Sequence, residues 1–301
     1  MEMSAPQKTI DCAGRPLILD RPRIAGIVNV TPDSFSDGGR HLDPKVAIAH
    51  GLQLVADGAD LLDIGAESTR PGAEDVSVDE EIARVVPVIA ALARQTSVPI
   101  SIDTSKPEVM RAAVEAGAGM INDVRALRAD GALDAAAALG VPVCLMHMLG
   151  EPRTMQDDPH YDDVVGTVHR FLAERLFACQ MAGIETKKLL VDPGFGFGKT
   201  LEHNLALLRE LARFAELAPV LVGLSRKRMI GTLTGRDIAS ERAAGSAAAA
   251  MIAAQRGASI VRVHDVAAMR DVLLVWNAVA AGDRKPVAKK AASLASLWDD
   301  D

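Results

Sequence analysis

The sequence predicts an α/β protein whose strands close into a (β/α)8 barrel. Three observations carry this. Short apolar runs recur eight times, at 24–30, 61–66, 99–103, 120–124, 142–148, 188–192, 220–225 and 259–265. The runs are apolar throughout rather than alternating, as strands covered on both faces are. Segments with helical periodicity lie between them, and eight β/α units in about 250 residues match the usual size of such a barrel. A doubly wound sheet is the alternative, since counting units does not establish closure.

Taken in order, residues 8–19 read as a hairpin around Ala13-Gly14, placed to plug or flank the domain. The helical segments include 44–56, 78–94, 107–116, 164–181, 240–254 and 266–280. Asp43 before Pro44, Ser105 before Lys106-Pro107 and Ser240 before Glu241 are expected helix starts. This divides the chain into an extension or hairpin (1–23), a (β/α)8 domain (24–281) and a tail (282–301) whose composition shifts.

Bulk properties narrow the classes of function. The chain has 301 residues and a formal net charge of −7, against general nucleic-acid binding. No run reaches the length of a membrane span, and the N-terminus lacks the apolar core of a signal peptide. The three cysteines are far apart with no CxxC and read as reduced, buried thiols. A cytoplasmic protein is expected.

In a barrel, the C-terminal strand ends face one common site. Here they read Asn29; Asp63 with Glu67 to Arg70; Asp103; Asn122 with Asp123; Met146 with His147; Asp192 followed by a glycine-rich turn; Ser225 to Lys227; and Arg262 with His264 and Asp265. So many converging polar groups would be costly as pure structure, because buried charges need partners. Asp63, Asp103, Asp192 and Asn122 are expected to form an acidic pole suited to a planar ring with adjacent N–H and amino groups. Arg70, Lys227, Arg262 and His264 are expected to form a cationic pole suited to a phosphate. Asn29 offers a hard oxygen for Mg²⁺.

Blander readings stand beside these. The stretch 194–200, GFGFGKT, invites a P-loop, but Pro193 stands where that motif needs glycine. A glycine-rich turn that lets Phe197 edge a pocket is the better account. His147 reads as a satisfied core histidine, and His50, His169 and His203 as helix-surface residues. Asp63 is as well explained by a pairing with Arg70 as by substrate contact.

The motifs GIVNVTPDSFSDGG (26–39), LLDIGAESTRPGA (61–73), SIDTSKPEVM (101–110), INDV (121–124), CLMHM (144–148), VDPGFGFGK (191–199), GLSRKRMIG (223–231) and VRVHDV (261–266) closely resemble those of the dihydropteroate synthases, a pterin-binding family. The resemblance runs from about residue 24 to 280. It implies a transferase of folate biosynthesis that joins a dihydropterin methyl diphosphate to 4-aminobenzoate, releasing pyrophosphate. It also implies Mg²⁺ as cofactor, an aminobenzoate pocket that is the family's sulfonamide target, and a homodimer with helices near the C-terminus as the candidates for its interface. By motif position, Asp103, Asn122, Asp192 and Lys227 would hold the pterin, with Met146 beneath and Arg262 stacked on it. Asn29 would bind Mg²⁺. Arg262 and His264, with Asn29 and Arg70, would hold the diphosphate. Thr69, Pro71, Phe197, Ser225 and Lys227 would shape the aminobenzoate pocket, and Asp103, Lys227 and Arg262 would be catalytic. Position 228 is Arg where some members carry Ser, so no hydroxyl is available there. A methyltransferase-type pterin barrel and a non-catalytic pterin-binding paralogue are the alternatives.

Overall fold

In the computed structural model, strands β3 to β10 hydrogen-bond in sequence order and β10 returns to β3, closing an eight-stranded parallel barrel. The closing pairs run from Ile260 opposite Arg23 to Val263 opposite Gly26. This ring excludes the doubly wound alternative. The residues described are 9–31, 43–67, 75–151 and 154–280. The strands are β3 (Arg23–Asn29), β4 (Leu61–Gly65), β5 (Ile100–Asp103), β6 (Met120–Asp123), β7 (Val143–Met146), β8 (Leu189–Asp192), β9 (Val220–Gly223) and β10 (Ala258–Val263). Each falls within one of the eight apolar runs or at most one residue beyond it.

The principal helices between them are α1 (Pro44–Asp57), α2 (Val78–Gln95), α3 (Pro107–Glu115), α4 (Ala132–Leu139), α5 (Val164–Met181), α6 (Leu201–Arg209), the one-turn α7 (Ala212–Ala215), α8 (Arg228–Thr234), α9 (Ala243–Gln255) and α10 (Val266–Ala280). Asp43 caps α1 as expected, accepting from the Lys45 N–H at 2.9 Å. Ser105 does not cap α3; its hydroxyl turns inward to Asp123, and Pro107 at the first helical position leaves one less N–H to satisfy. Ser240 lies in a short 3-10 turn (Ala239–Arg242) that precedes α9.

The strands are apolar on both sides because two different cores claim them. Ile24, Val28, Leu62, Ile64, Ile100, Ile102, Ile121, Val143, Leu145, Leu189, Val191, Val220, Val222, Val261 and Val263 belong to the large core beneath the helices. The alternate positions Ala25, Leu61, Met120, Cys144, Leu190, Leu221 and Ile260 form a second cluster inside the barrel. Period-two alternation thus splits seven of the eight strands between an outer and an inner core, while β5 places the buried Ser101 at the inner position.

The inner cluster is sealed by the N-terminal hairpin. Strands β1 (Thr9–Cys12) and β2 (Arg15–Ile18) pair antiparallel and contribute Ile10, Cys12 and Leu17 to it. Their turn is at Ala13-Gly14, both at positive φ, with the Gly14 N–H donating to Asp11 at 2.7 Å. The hairpin is therefore a plug at the N-terminal end of the barrel. All three cysteines are buried and unpaired, as expected.

The fit of the plug is tight at Gly119, just before β6. A Cβ there would lie 2.3 Å from the Cys12 carbonyl oxygen, a backbone atom that cannot rotate away. Gly119→Ala is expected to push the hairpin off the barrel floor and cost about 2 kcal/mol, in the range of core overpacking. Urea unfolding of the two proteins measures this; an unchanged midpoint and slope would show that the hairpin contributes no closely packed seal.

Candidate active site

The polar residues predicted from the strand ends come together because they stand one pleat above the apolar floor. Asp63 follows Leu61 by two residues, Asn122 follows Met120, Met146 follows Cys144, Asp192 follows Leu190 and Arg262 follows Ile260. Each pair therefore shares the inner face of its strand. Parallel register aligns them between strands: Asp103 lies opposite Asn122, and Met146 opposite Asp192.

A charged network fills this level. Arg262 donates through Nε to Asp63 and through Nη2 to Asp103 at 2.8 Å. Asn122 donates to the same Asp63 oxygen at 3.2 Å. Asp63 and Asn122 are almost wholly buried, and Asp63 Oδ1 has no hydrogen-bond partner. Burial pushes the Asp103 carboxyl up to about 7, against the pull of the Arg262 guanidinium. Burial opposes the charge on Arg262, but Asp63 and Asp103 outweigh it and raise its pKa. Asp192 is also raised by burial, with Lys227 opposing; its Oδ1 accepts from the Gly194 N–H at 2.7 Å. Burial lowers Lys227 to about 8 despite the nearby Asp192.

The expected separation into an acidic and a cationic pole is not what the described residues form. Arg262, assigned to the cationic pole, bridges two carboxylates of the acidic one. The physical reason is desolvation: buried like charges repel and each lacks water, so a guanidinium between them satisfies both.

An apolar surface adjoins the network. Met146 clusters with Val124, Met148 and Met155, and Phe197 packs against the group. Lys227 crosses the Phe197 ring with Nζ 4.4 Å from its centre and donates to the Phe195 carbonyl. Next to it, Ser225 Oγ lies 3.0 Å from His264 Nδ1 and accepts from the His264 N–H at 3.2 Å, tying the ends of β9 and β10. Arg226 between Ser225 and Lys227 adopts a left-handed conformation, φ +59°. Asp265 holds it through Nε at 3.0 Å, and Ser246 accepts its N–H at 2.8 Å.

Asn29 ends β3, half-buried. Among the described residues no group of three or more His, Cys, Asp or Glu side chains would cage a metal. A single neutral amide oxygen supplies few protein ligands, which fits Mg²⁺ completed by substrate phosphates and water but not a structural zinc site. Thr69, Arg70 and Pro71, and most of the loop after Asn29, lie outside the described residues.

Three residues carry more than the sequence assigned them. Asp63 was as readily a partner of Arg70, yet it joins Arg262 and Asn122; its spacing of two from Leu61 was the available signal. Lys199, in the pseudo-P-loop, points into the protein and contacts His147 and backbone carbonyls. Thr200 caps α6 in a reciprocal capping box with His203, which gives that histidine a structural task beyond the helix surface expected. His147 is the satisfied core histidine expected, and burial followed by Lys199 lowers it to about 2.

A barrel mouth with carboxylates and an amide beside a thioether and aromatic surface, edged by lysine and arginine, defines a site for a flat, amino-bearing heterocycle with an anionic substituent. The family model described as pterin binding enzyme matches residues 25–264. The dihydropteroate synthase of Escherichia coli K12 is 55% identical over 254 residues, covering 84% of this chain and 90% of that protein. The solved structure of Xanthomonas albilineans dihydropteroate synthase with 4-aminobenzoic acid is 64% identical with a TM-score of 0.87, over 91% of this chain and 99% of that one. The same enzyme in complex with 7,8-dihydropteroate gives 62% and 0.84 over the same shares. The chain belongs to the pterin-binding enzyme family and, within it, to the dihydropteroate synthases.

Arg262→Leu would leave Asp63 and Asp103 buried without their cation. A loss of about 3 kcal/mol is expected at pH 8, as when one partner of a buried pair is removed. Because Asp103 is already raised to about 7, the loss should shrink as pH falls below that value and the carboxyl takes up a proton. Urea unfolding at pH 8 and pH 6 reads this, and an equal loss at both would count against ionised carboxylates as the cause.

Proposed function

We propose that this chain condenses (7,8-dihydropterin-6-yl)methyl diphosphate with 4-aminobenzoate to give 7,8-dihydropteroate and pyrophosphate, as a transferase forming a C–N bond. The observation that carries this is the convergence of Asp63, Asp103, Asn122 and Asp192 with Lys227 and Arg262 at one level of the barrel mouth. A carboxylate accepts two side-by-side hydrogen bonds, which matches the ring N–H and amino group of a pterin.

In this reading Asp103, Asn122, Asp192 and Lys227 hold the pterin over Met146, and Arg262 stacks on it. Arg262 and His264, with Asn29 and Arg70, hold the diphosphate. Thr69, Pro71, Phe197, Ser225 and Lys227 shape the aminobenzoate pocket. As pyrophosphate leaves the methylene carbon, positive charge develops on the pterin, and Asp103 and Asp192 stabilise it. The aniline nitrogen then attacks the same carbon. No covalent nucleophile is needed, so the residues act by position and field. Asn29 would ligate Mg²⁺, which supplies charge neutralisation of the leaving diphosphate. Arg262 must exchange part of its bond to Asp103 for the ligand, which couples diphosphate capture to release of the pterin acceptor.

The chain acts as one catalytic domain, 24–281, with the hairpin as its plug, in the cytoplasm; no described helix is long and apolar enough to cross a membrane. Self-association into a homodimer is supported by exposed apolar side chains near the C-terminal helices: Leu233 on α8, Ile238 after it, and Leu274, Val275 and Val279 on α10. A second copy would cover such a surface.

Purified protein with both substrates and Mg²⁺ is expected to release pyrophosphate; no release would refute the reaction. Asp103→Asn should lower kcat/KM for the pterin substrate by about a hundredfold, the scale of losing one transition-state contact. In the parent enzyme kcat/KM should fall as pH drops below about 7, because Asp103 must be ionised to accept from the ring. That limb should be absent in the variant. Sedimentation should give a dimer, and Val275→Glu a monomer with its melting temperature retained. A monomeric parent protein would remove the dimer from the proposal.

A further inference from the structure

The turn at 194–198 contains three glycines at positive φ, Gly194 (+70°), Gly196 (+79°) and Gly198 (+63°). A chain this permissive gains little order from its own dihedral preferences. Its order comes from side chains aimed at its backbone. All five carbonyls of the turn accept from a side-chain donor. Lys199 Nζ donates to Gly194 at 2.9 Å and to Phe197 at 3.0 Å. Lys227 Nζ donates to Phe195, Gln156 to Gly196 at 2.7 Å, and the Tyr161 hydroxyl to Gly198 at 2.9 Å. The Gly196 N–H in turn donates to Asn204 at 2.7 Å.

Two lysines therefore grip this turn. Lys227 belongs to the site already described. Lys199 does not: it is 3% exposed, and the motif that placed it in a phosphate loop is not formed. Its third close contact is His147 Nδ1 at 3.0 Å, on the end of β7, beside Met146. The turn also rests directly on that strand end, for a Cβ on Gly194 would fall 1.9 Å from the His147 carbonyl oxygen. An apolar side chain in place of Lys199 would bury two carbonyls without donors, and a shorter polar one supplies too few directions. An ammonium or amine carries several donors on a long, thin stem. Burial lowers the Lys199 pKa well below the usual range, with Asp192 opposing, so the position carries a real desolvation cost.

We propose that Lys199 is a positioning residue for the pocket of the second substrate: its Nζ holds the 194–198 turn from within, so that the Phe197 ring and the Phe195 carbonyl stay registered on Lys227. The Phe197 ring lies under the Lys227 ammonium at 4.4 Å, and both edge the aminobenzoate end of the site. Lys199 touches no substrate in this arrangement. The proposal rests on the transferase reading above and adds to it the residue that fixes this wall.

The position of the wall affects one substrate more than the other. In the proposed reading the pterin is gripped by three residues that strands place, Asp103, Asn122 and Asp192, and only its fourth contact, Lys227, lies on the Phe197 ring and the Phe195 carbonyl of the turn. Phe197 is supplied by the turn alone. Loss of Lys199 should therefore appear in the constants for 4-aminobenzoate before those for the pterin.

The test is Lys199→Met in the full chain, which keeps the stem and removes the donors. KM for 4-aminobenzoate is expected to rise at least tenfold. The dissociation constant of the dihydropterin diphosphate, titrated without the second substrate, should stay within threefold. Tyr161→Phe removes a single hydroxyl from the outer end of the same turn and keeps the measurement available should the lysine variant fail to fold. It should raise the same KM about threefold and leave pterin binding unchanged. A KM within twofold of the parent value in the folded lysine variant, even with a lowered melting temperature, would overturn the proposal and leave Lys199 a purely structural residue. If only Tyr161→Phe can be measured, unchanged constants for both substrates would overturn it. The parent enzyme is assayed alongside: failure to release pyrophosphate would refute the transferase reading and the proposal together, whereas variants with normal constants would refute the proposal alone.

Discussion

The mouth of this barrel depends on one interaction, the bridge from Arg262 to Asp63 and Asp103. Two inward-facing carboxylates on neighbouring strands repel each other, and with little water the repulsion is not screened. The guanidinium is planar, permanently charged and able to offer different N–H groups to each, so it holds both acids at the level where Asn122 also points. Asp63 keeps one oxygen without a partner. Such an atom is costly to a fold, and it leaves acceptor capacity unused beside the charged network. In the proposed reaction the same bridge would make Arg262 a competitor for Asp103 and so link binding of the ring to binding of the anion.

The other wall is held in a different way. On the acidic side, geometry follows from strands, whose register leaves little freedom. On the side of Phe197 and Lys227 it follows from a glycine turn, which has no preferred shape of its own. There the shape is set by donors from loops, Gln156 and Tyr161 between β7 and α5, Lys199 just before α6 and Lys227 just before α8, which together meet every carbonyl of the turn. In the proposed reaction the strands would set the orientation of the pterin, and the braced turn would set where the aminobenzoate sits.

Much of this was legible in the sequence, and the reasons differ between residues. The eight strands were readable as short apolar runs, and the structure shows that in all but β5 the two faces serve separate apolar cores. Asp103, Asn122 and Asp192 were readable as strand-end polar groups; Phe197, read as the edge of a pocket, packs on the Met146 cluster and under Lys227. What escaped was pairing across distance. Arg262 and Asp63 are 199 positions apart, and only closure of the barrel brings them together, so charge type alone assigned them to opposite poles. Lys199 escaped for a related reason: Pro193 ruled out a phosphate loop, but nothing local in the sequence shows that the lysine turns inward to brace the turn before it. Ser105 shows the same limit on a smaller scale, since a local cap was available to it and Asp123 across the strand end took the hydroxyl instead.

The polar mouth also depends on the opposite end of the barrel. Inward positions alternate between an apolar floor and a charged level, separated by a single pleat. If the floor admitted water, the carboxylates above it would be solvated from below and their fields weakened. The hairpin prevents this by placing Ile10, Cys12 and Leu17 against Leu61, Met120 and Ile260. The depression of Lys227 and the elevation of Asp103 and Asp192 all have burial as their leading cause. A plug that touches none of these residues thereby helps to set the low-dielectric surroundings in which a developing positive charge on a bound pterin is best stabilised by fixed carboxylates.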